Sequence, residues 1–112
     1  MSRAIIVLPG AESDIEDAAL WYRENDLQLS LDFTSEVHTM LARVADSPLQ
    51  FPSAKRNPEV RRALLNRFPY KIFFVIRPDA IVVFRVLHTA RHDRSWEQHI
   101  PSTNERMEVA CL

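Results

Sequence analysis

The stretch that decides the fold is YKIFFVIRPDAIVVFRVL, residues 70–87, in which two apolar runs flank Pro78-Asp79. β-Branched and aromatic residues dominate both runs and favour strands, while Pro-Asp favours a tight turn. We therefore predict an antiparallel hairpin in which Arg77 pairs with Ala80, and the two-residue period of a strand then assigns each side chain to a face. One face receives Tyr70, Ile72, Phe74, Ile76, Ile81, Val83, Arg85 and Leu87. The other receives Lys71, Phe73, Val75, Arg77, Val82, Phe84, Val86 and His88.

The segments before this hairpin predict the remaining elements of an α+β domain. Residues 3–8 are largely β-branched and end at Pro9-Gly10, which predicts a short, largely buried strand. Apolar residues at helical spacing from 11 to 22 and from 33 to 44 predict two helices that pack as an antiparallel hairpin. A proline-rich basic loop then leads to a predicted strand at 60–65. The expected fold is an N-terminal strand, an antiparallel helical hairpin and a three-stranded antiparallel sheet, in one domain over residues 1–98 followed by a polar tail over 99–112.

The composition is that of one small soluble domain. The chain has 112 residues, of which 46% are hydrophobic and 26% charged, so it is long enough for one core and too short for two. Its longest apolar runs have five residues, too few to cross a membrane or to form the core of a signal peptide. Cys111 is the only cysteine, so no internal disulfide can form. We expect a cytoplasmic protein that needs no cofactor.

The hairpin of residues 70–87 is apolar on both faces, yet one pair of helices can cover only one of them. Monomers rarely expose large apolar patches, so the second face needs a cover of its own. We expect the segment around Trp96 to supply part of that cover and a partner chain to supply the rest.

Charge is divided unevenly along the chain. Residues 1–54 carry three arginines against nine acids, whereas residues 55–94 carry ten basic residues against three acids. A basic half in a nearly neutral chain favours contact with an anionic partner, either nucleic acid or an acidic protein segment. Acidic helices packed against a basic sheet would explain the same division without a partner. Arg85 interrupts an apolar register, and we expect an acid from a helix to pair with it.

Several motifs, in their order along the chain, resemble those of a known family. Trp21-Tyr22 closes the first helix, VRR and RFPYKI stand at 60–62 and 67–72, and VLH at 86–88 precedes Arg91 and Trp96. Over about residues 4–98 the sequence resembles the ParE/RelE superfamily of bacterial toxins. It is most similar to the ParE branch, also called plasmid-stabilisation proteins, although His92-Asp93 stands where that branch usually has Asp-Pro.

The resemblance implies the toxin of a type II toxin–antitoxin system, neutralised by a cognate antitoxin that lies on the toxin surface. ParE-like toxins inhibit DNA gyrase by binding, whereas RelE-like toxins cleave messenger RNA, usually in the ribosome. A third alternative is a binding module that keeps the toxin fold without activity. We predict the ParE-like function, with a toxin–antitoxin hetero-oligomer as the assembled form.

The ribonuclease alternative requires a base for the 2′-OH proton, cations for the developing phosphate charge and a donor to the leaving oxygen. On the RelE pattern, Arg62 matches the first of two strand lysines, Leu64 stands at the second, and Gln98 stands near the aromatic that stacks on the base. Losing a cation and a ring favours a binder over a nuclease. If the chain were a ribonuclease, its catalytic residues would be Arg62, Lys71, His88, Arg91 and His92.

The residues expected to contact partners form two sets. The target-binding set consists of basic residues around the predicted strand at 60–65 and of residues from the C-terminal motif that begins at His88: Arg61, Arg62, Arg67, His88, Arg91 and Trp96. The antitoxin-binding set consists of one residue of the first helix and three residues of the sheet face that the helices leave uncovered: Trp21, Phe73, Val75 and Phe84.

Each set also has a purely structural interpretation. Edge-strand arginines are often only solvated, Trp96 can anchor the C-terminal segment, and Trp21 can pack on the second helix. His88 and His92 share no common face and have no evident third ligand, so we expect no metal site.

Overall fold

The computed structural model describes residues 3–54 and 57–89, which form an α+β domain around one four-stranded sheet. In chain order the elements are β1 (Ala4–Val7), α1 (Pro9–Asn25), α2 (Leu27–Asp46), β2 (Val60–Leu64), β3 (Tyr70–Ile76) and β4 (Ala80–His88), with a 3-10 turn at Pro48–Gln50. The strand order is β1-β4-β3-β2. The three C-terminal strands are antiparallel as predicted, and β1 joins them as a fourth strand, parallel to β4.

The two helices form the predicted hairpin, joined by the single residue Asp26. Pro9 occupies the start of α1, where the N–H that proline lacks would have no helical partner. The Asp26 carboxylate accepts the backbone N–H of Gln28 at 2.8 Å and so caps α2. Across the hairpin, the buried Ser30 hydroxyl donates to the Ala19 carbonyl at 2.9 Å. Local capping and one interhelical hydrogen bond therefore fix the hairpin geometry.

The helices pack on one face of the sheet and bury the larger of its two apolar clusters. At one end of this cluster the rings of Tyr22, Phe33 and Phe68 lie with centroids 5.1 to 5.4 Å apart, mostly edge to face. Tyr70 extends the group, 5.3 Å from Phe33. Burial raises the pKa of the Tyr22 hydroxyl, and the neighbouring Tyr70 raises it further.

The opposite face of the sheet is buried as well. Its members are at most 6% exposed: Ala54, Val60, Phe73, Val75, Val82, Phe84 and Leu87, with Leu8 packed against them. The expectation that a partner chain is needed to complete the cover of this face is therefore wrong, since the single chain already buries it. Strands covered on both faces have continuous apolar runs, which is the pattern of residues 72–76 and 80–84. The segment around Trp96, expected to cover this face, lies outside the described residues, as does the predicted tail over 99–112.

The register of the β3–β4 hairpin follows the prediction only in its first half. Ile76 pairs with Ile81 and Phe74 with Val83, as the turn requires, but Phe73 pairs with Arg85, so Phe84 is the extra residue of a β-bulge. From Val86 onward, this one-residue shift reverses the face of each side chain. Val86 joins the cluster beneath the helices and Leu87 joins the opposite one, each contrary to the predicted assignment.

In the part of the chain that the structure describes, no helix is both long and apolar enough to span a bilayer.

Candidate interaction surfaces

Three of the six described basic residues of the sheet half lie within 4 Å of a carboxylate of the same chain: Arg67, Arg77 and Arg85. The Arg67 guanidinium lies 3.4 Å from the Asp32 carboxylate and 5.5 Å from the centre of the Phe68 ring. The Glu36 carboxylate, also on α2, accepts the backbone N–H groups of Asn66 and Arg67. Contacts of this kind neutralise part of the basic half internally, as the structural interpretation of the charge division requires.

Arg61 has a structural role at the outer edge of β2. Its Nη1 donates to the Phe51 carbonyl at 2.6 Å, and a bridge pairs Arg61 with Ser53. The backbone hydrogen bonds Ala54 to Val60 and Arg62 to Pro52 extend this contact. The loop after α2 therefore covers part of the edge strand, which protects it from pairing with other chains.

Arg62 and Lys71 lie on the sheet face opposite the helices. Arg62 pairs with Phe73 and Lys71 with Leu64, so the two cations are diagonal neighbours on adjacent strands. Within residues 3–54 and 57–89, neither side chain forms a hydrogen bond or an ion pair. Leu64 beside them is half exposed. We call Arg62, Leu64 and Lys71 the basic edge surface.

His88 lies on the other side of the sheet from the basic edge surface. Its ring meets Tyr70, its partner in the register, edge to face at 5.2 Å. The register predicted from the turn places His88 on the same face as Lys71, and the bulge reverses this. Of the residues suggested for a ribonuclease, the structure therefore brings Arg62 and Lys71 together and separates His88 from them. Arg91, His92 and Trp96 lie outside the described residues.

Arg85 has the helical acid that the sequence predicts. Its Nε and Nη2 donate to the two Asp14 oxygens at 2.7 and 2.9 Å, and the backbone N–H of Val86 donates to the same carboxylate at 2.9 Å. Both side chains are less than one-fifth exposed. The hydrogen bonds to Asp14, together with its negative charge, raise the pKa of the Arg85 guanidinium against the opposing effect of burial. Asp14 thus fixes the strand just beyond the bulge to α1.

A groove of about 260 Å³ runs between α1 and the end of the sheet beside this ion pair. It is lined by Asp14, Asp17, Ala18, Trp21, Tyr70, Val86, Leu87 and His88. We call it the Trp21 groove. Trp21 is 60% exposed, and its ring touches Tyr22 edge to face at 5.2 Å. Of the set predicted to bind an antitoxin, Trp21 is therefore accessible, whereas Phe73, Val75 and Phe84 are at most 4% exposed in the single chain.

The helical hairpin carries exposed leucines that the sequence analysis did not single out. Leu20, Leu27 and Leu31 are each more than half exposed. These leucines could have been noticed in the sequence because they lie off the buried stripe of each helix, where an apolar residue has no role in the core. Isolated exposed leucines are common, so this signal is weak on its own.

Acidic and imidazole side chains do not gather into a metal site: among the residues described, no three His, Cys, Asp or Glu lie close enough to bind an ion.

Comparison with known proteins gives both a family and a fold. The family model described as the ParE toxin of the type II toxin-antitoxin system parDE matches residues 5–93. A chain of the chromosomal ParDE TA system from P. aeruginosa superposes with a TM-score of 0.68 at 16% identity, over 78% of this chain and 96% of that one. A chain of the toxin-antitoxin complex RelBE2 from Mycobacterium tuberculosis gives 0.56 at 14% identity, over 79% and 99% of the two chains. No curated protein matches the sequence. Since the family model covers most of the chain, from β1 to beyond β4, this protein belongs to the ParE toxin family of type II toxin–antitoxin systems.

Proposed function

We propose that this toxin acts in the cytoplasm by binding DNA gyrase, without a catalytic step, and that a cognate antitoxin neutralises it. Membership of the ParE toxin family supports the toxin role. The structural relatives come from a ParDE system and from a RelBE2 toxin-antitoxin complex, which supports a protein antitoxin as the partner. In such a pair, loss of the antitoxin exposes the target, which would account for plasmid stabilisation.

The observation that carries the proposal is the separation of His88 from the two cations of the basic edge surface. A general base acts within hydrogen-bond reach, about 2.6–3.2 Å or one intervening water, of the proton that it removes. Arg62 and Lys71 would hold a phosphate on one side of the sheet, whereas the His88 ring packs on Tyr70 on the other side. A single scissile phosphate cannot contact both groups, so these residues suit binding better than RNA cleavage.

Among the described members of the predicted target-binding set, Arg62 remains available for a partner, and the basic edge surface adds Lys71 and Leu64 to it. Arg61 holds the loop before β2, and Arg67 is paired with Asp32. Arg62 and Lys71 have no such contact within the described part of the chain, and Leu64 adds an exposed apolar group between them. Two cations beside an exposed apolar side chain complement an acidic protein surface.

Two assays on the same purified toxin test the proposal. Wild-type toxin is expected to inhibit supercoiling by gyrase and to leave messenger RNA intact in a purified translation reaction. His88→Ala should inhibit supercoiling as the wild type does, because His88 faces away from the basic edge surface. Arg62→Glu should inhibit much less, since it reverses a charge at the contact.

Cleavage of the message with supercoiling unaffected would overturn the proposal in favour of the ribonuclease. Toxin that does neither would favour the inactive binding module. Adding the antitoxin encoded beside the gene should restore supercoiling if it is the neutralising partner.

A further inference from the structure

The Trp21 groove has the size of a side-chain site. Pockets for drug-sized ligands measure about 300–1,000 Å³, and this groove, at about 260 Å³, lies below that range. Its lining residues Asp17 and Trp21 on α1 are exposed, so a side chain projecting from another protein can reach it. A partner residue is therefore a better fit than a small molecule.

The charge of the groove is negative and is concentrated at one residue. Asp14 is already paired with Arg85 through two hydrogen bonds. Asp17, one helical turn further along α1, is exposed, and among the residues described it takes part in no hydrogen bond or ion pair. Its carboxylate thus offers two acceptor oxygens to an incoming cation. The surrounding half of the chain, residues 1–54, is also acidic and would attract that cation from a distance.

The aromatic side of the groove complements a planar cation. Asp17 and Trp21 are four residues apart on α1, so their side chains are neighbours on one helical face. Trp21 is 60% exposed, although a tryptophan usually buries most of its ring. Indole is the best aromatic partner for a cation placed over its face, within about 6 Å of the ring centre. Arginine satisfies both groups at once, because its guanidinium pairs with a carboxylate through two hydrogen bonds and stacks on an aromatic ring.

From the groove size, the unpaired carboxylate and the exposed indole, we infer that the Trp21 groove binds an arginine side chain of the antitoxin, held between the Asp17 carboxylate and the Trp21 ring. This inference rests on the proposed function, since it takes the antitoxin as the partner. It adds the chemistry of the contact: a single cationic residue inserted beside the Asp14–Arg85 ion pair.

The test measures binding of the full-length toxin to the antitoxin encoded by the neighbouring gene, by calorimetry at two salt concentrations. Asp17→Asn should weaken binding about 10-fold at low salt, and the loss should shrink at high salt as charge screening grows. Trp21→Ala should weaken it by about 10-fold or more at both concentrations, as expected of an interface tryptophan. Asp79→Asn and Leu49→Ala are matched controls, because both residues are exposed and lie outside the groove. Neither control should change the affinity more than about twofold.

The antitoxin supplies the second half of the test. Each of its arginines is changed to glutamine in turn, and the change of the arginine that enters the groove should weaken binding at least as much as Asp17→Asn does. Combined with Asp17→Asn, that change should cost less affinity than it does in the wild-type toxin, because the carboxylate pair is already lost and only the stacking on Trp21 remains to be removed. Wild-type affinity for both Asp17→Asn and Trp21→Ala would overturn the inference while leaving the antitoxin in place.

Other outcomes also distinguish the inference from the proposed function. If wild-type toxin does not bind the neighbouring gene product at all, the proposed partner itself is wrong. If the two variants bind antitoxin normally but no longer inhibit gyrase, the groove belongs to the target and the inference fails. If Asp17→Asn instead lowers the unfolding temperature of the toxin alone by several degrees, the carboxylate serves the toxin's own fold, which also contradicts the inference.

Discussion

Asp14 is the residue on which the end of the sheet depends. Its carboxylate binds the Arg85 guanidinium through two oxygens and also accepts the Val86 backbone N–H, just where the bulge interrupts the ladder. β1 pairs with β4 only as far as Val83, with one more hydrogen bond from Leu8. Beyond Val83, the Asp14 carboxylate accepts the Val86 N–H, which a neighbouring strand would otherwise bind.

Removing this carboxylate should therefore destabilise the protein more than an ordinary surface substitution. Asp14→Ala leaves Arg85 without its anion and Val86 with an unpaired N–H, and both sites are largely buried. We expect a loss of about 2–4 kcal/mol in the free energy of unfolding, measured by urea denaturation. Glu59→Ala, which removes an exposed carboxylate 3.8 Å from Arg77, should cost under about 1 kcal/mol. Equal losses in the two variants would show that Asp14 is no more than a surface partner.

Tyr22 gives the protein a defined sensitivity to alkali. Its pKa in the folded state is raised, chiefly by burial, so the unfolded chain releases this proton at a lower pH than the folded protein does. Stability from this group is complete below the unfolded pKa of about 10 and falls as the pH rises through the folded value. Tyr22→Phe should remove the part of the alkaline loss of stability that Tyr22 ionisation causes. Midpoints of urea denaturation between pH 8 and pH 11 would measure this change. An unchanged alkaline slope in Tyr22→Phe would count against this account.

At the scale of elements, the sequence predicted the helices, the strands and the turn, and it failed at the bulge. Pro78-Asp79 fixes the pairing as far as Phe74 with Val83, because turn geometry sets the register of the residues next to it. Phe84, Val86 and Leu87 are all apolar, so shifting them by one position puts a hydrophobic residue on either face. When both faces are buried, periodicity no longer distinguishes them. The same continuity concealed the place of β1, whose parallel partner β4 is more than 70 residues away.

The sequence predicted a contact of the candidate site where a buried charged residue required a partner of opposite charge. Arg85 in an apolar register required an acid, and Asp14 supplies it. The positions of His88 and Lys71 relative to each other were not predictable, since they depend on the bulge. Nor could the sequence tell that Phe73 and Val75 are covered within the single chain, because burial depends on loops packed from elsewhere, such as Ala54.

The start of α1 offers a substitution that should stabilise the fold. Gly10 is the only glycine of the chain, and its φ is not positive. A Cβ there would lie 3.6 Å from the Phe84 carbonyl oxygen and 3.8 Å from the Arg85 Cδ, both ordinary contacts. Gly10→Ala should therefore gain about 0.5–1 kcal/mol from helix propensity and reduced freedom of the unfolded chain. A lower unfolding temperature, measured by calorimetry, would mean that the β4 bulge cannot accept the extra methyl group.

For the molecule as a whole, the acidic helices and the basic sheet have different roles. Carboxylates on the helices bind groups of the sheet half: Asp14, Asp32 and Glu36. Asp14 neutralises Arg85 and Asp32 neutralises Arg67, whereas Glu36 accepts a backbone N–H. What remains is a basic edge surface on one side and an acidic, aromatic groove on the other. Under the proposed function, the target contacts the first surface and the antitoxin the second, so neutralisation need not involve direct competition for the same residues.

Charge reversal on the two sides should therefore separate toxicity from neutralisation. Arg62→Glu and Lys71→Glu are expected to abolish growth arrest when the toxin is expressed without antitoxin, because each replaces a cation of the basic edge surface by an anion. Both residues are partly exposed and unpaired within the described residues, so each variant should lose under about 1 kcal/mol of stability and keep its antitoxin affinity. Arg23→Glu, an equal reversal on the exposed side of α1, should arrest growth as the wild type does. Growth curves, with urea denaturation and antitoxin titration on the same variants, measure all three effects. Full toxicity of the Arg62→Glu, Lys71→Glu double variant, with its fold intact, would move the target contact away from this edge and towards the helices, where Trp21 would be the first residue to change.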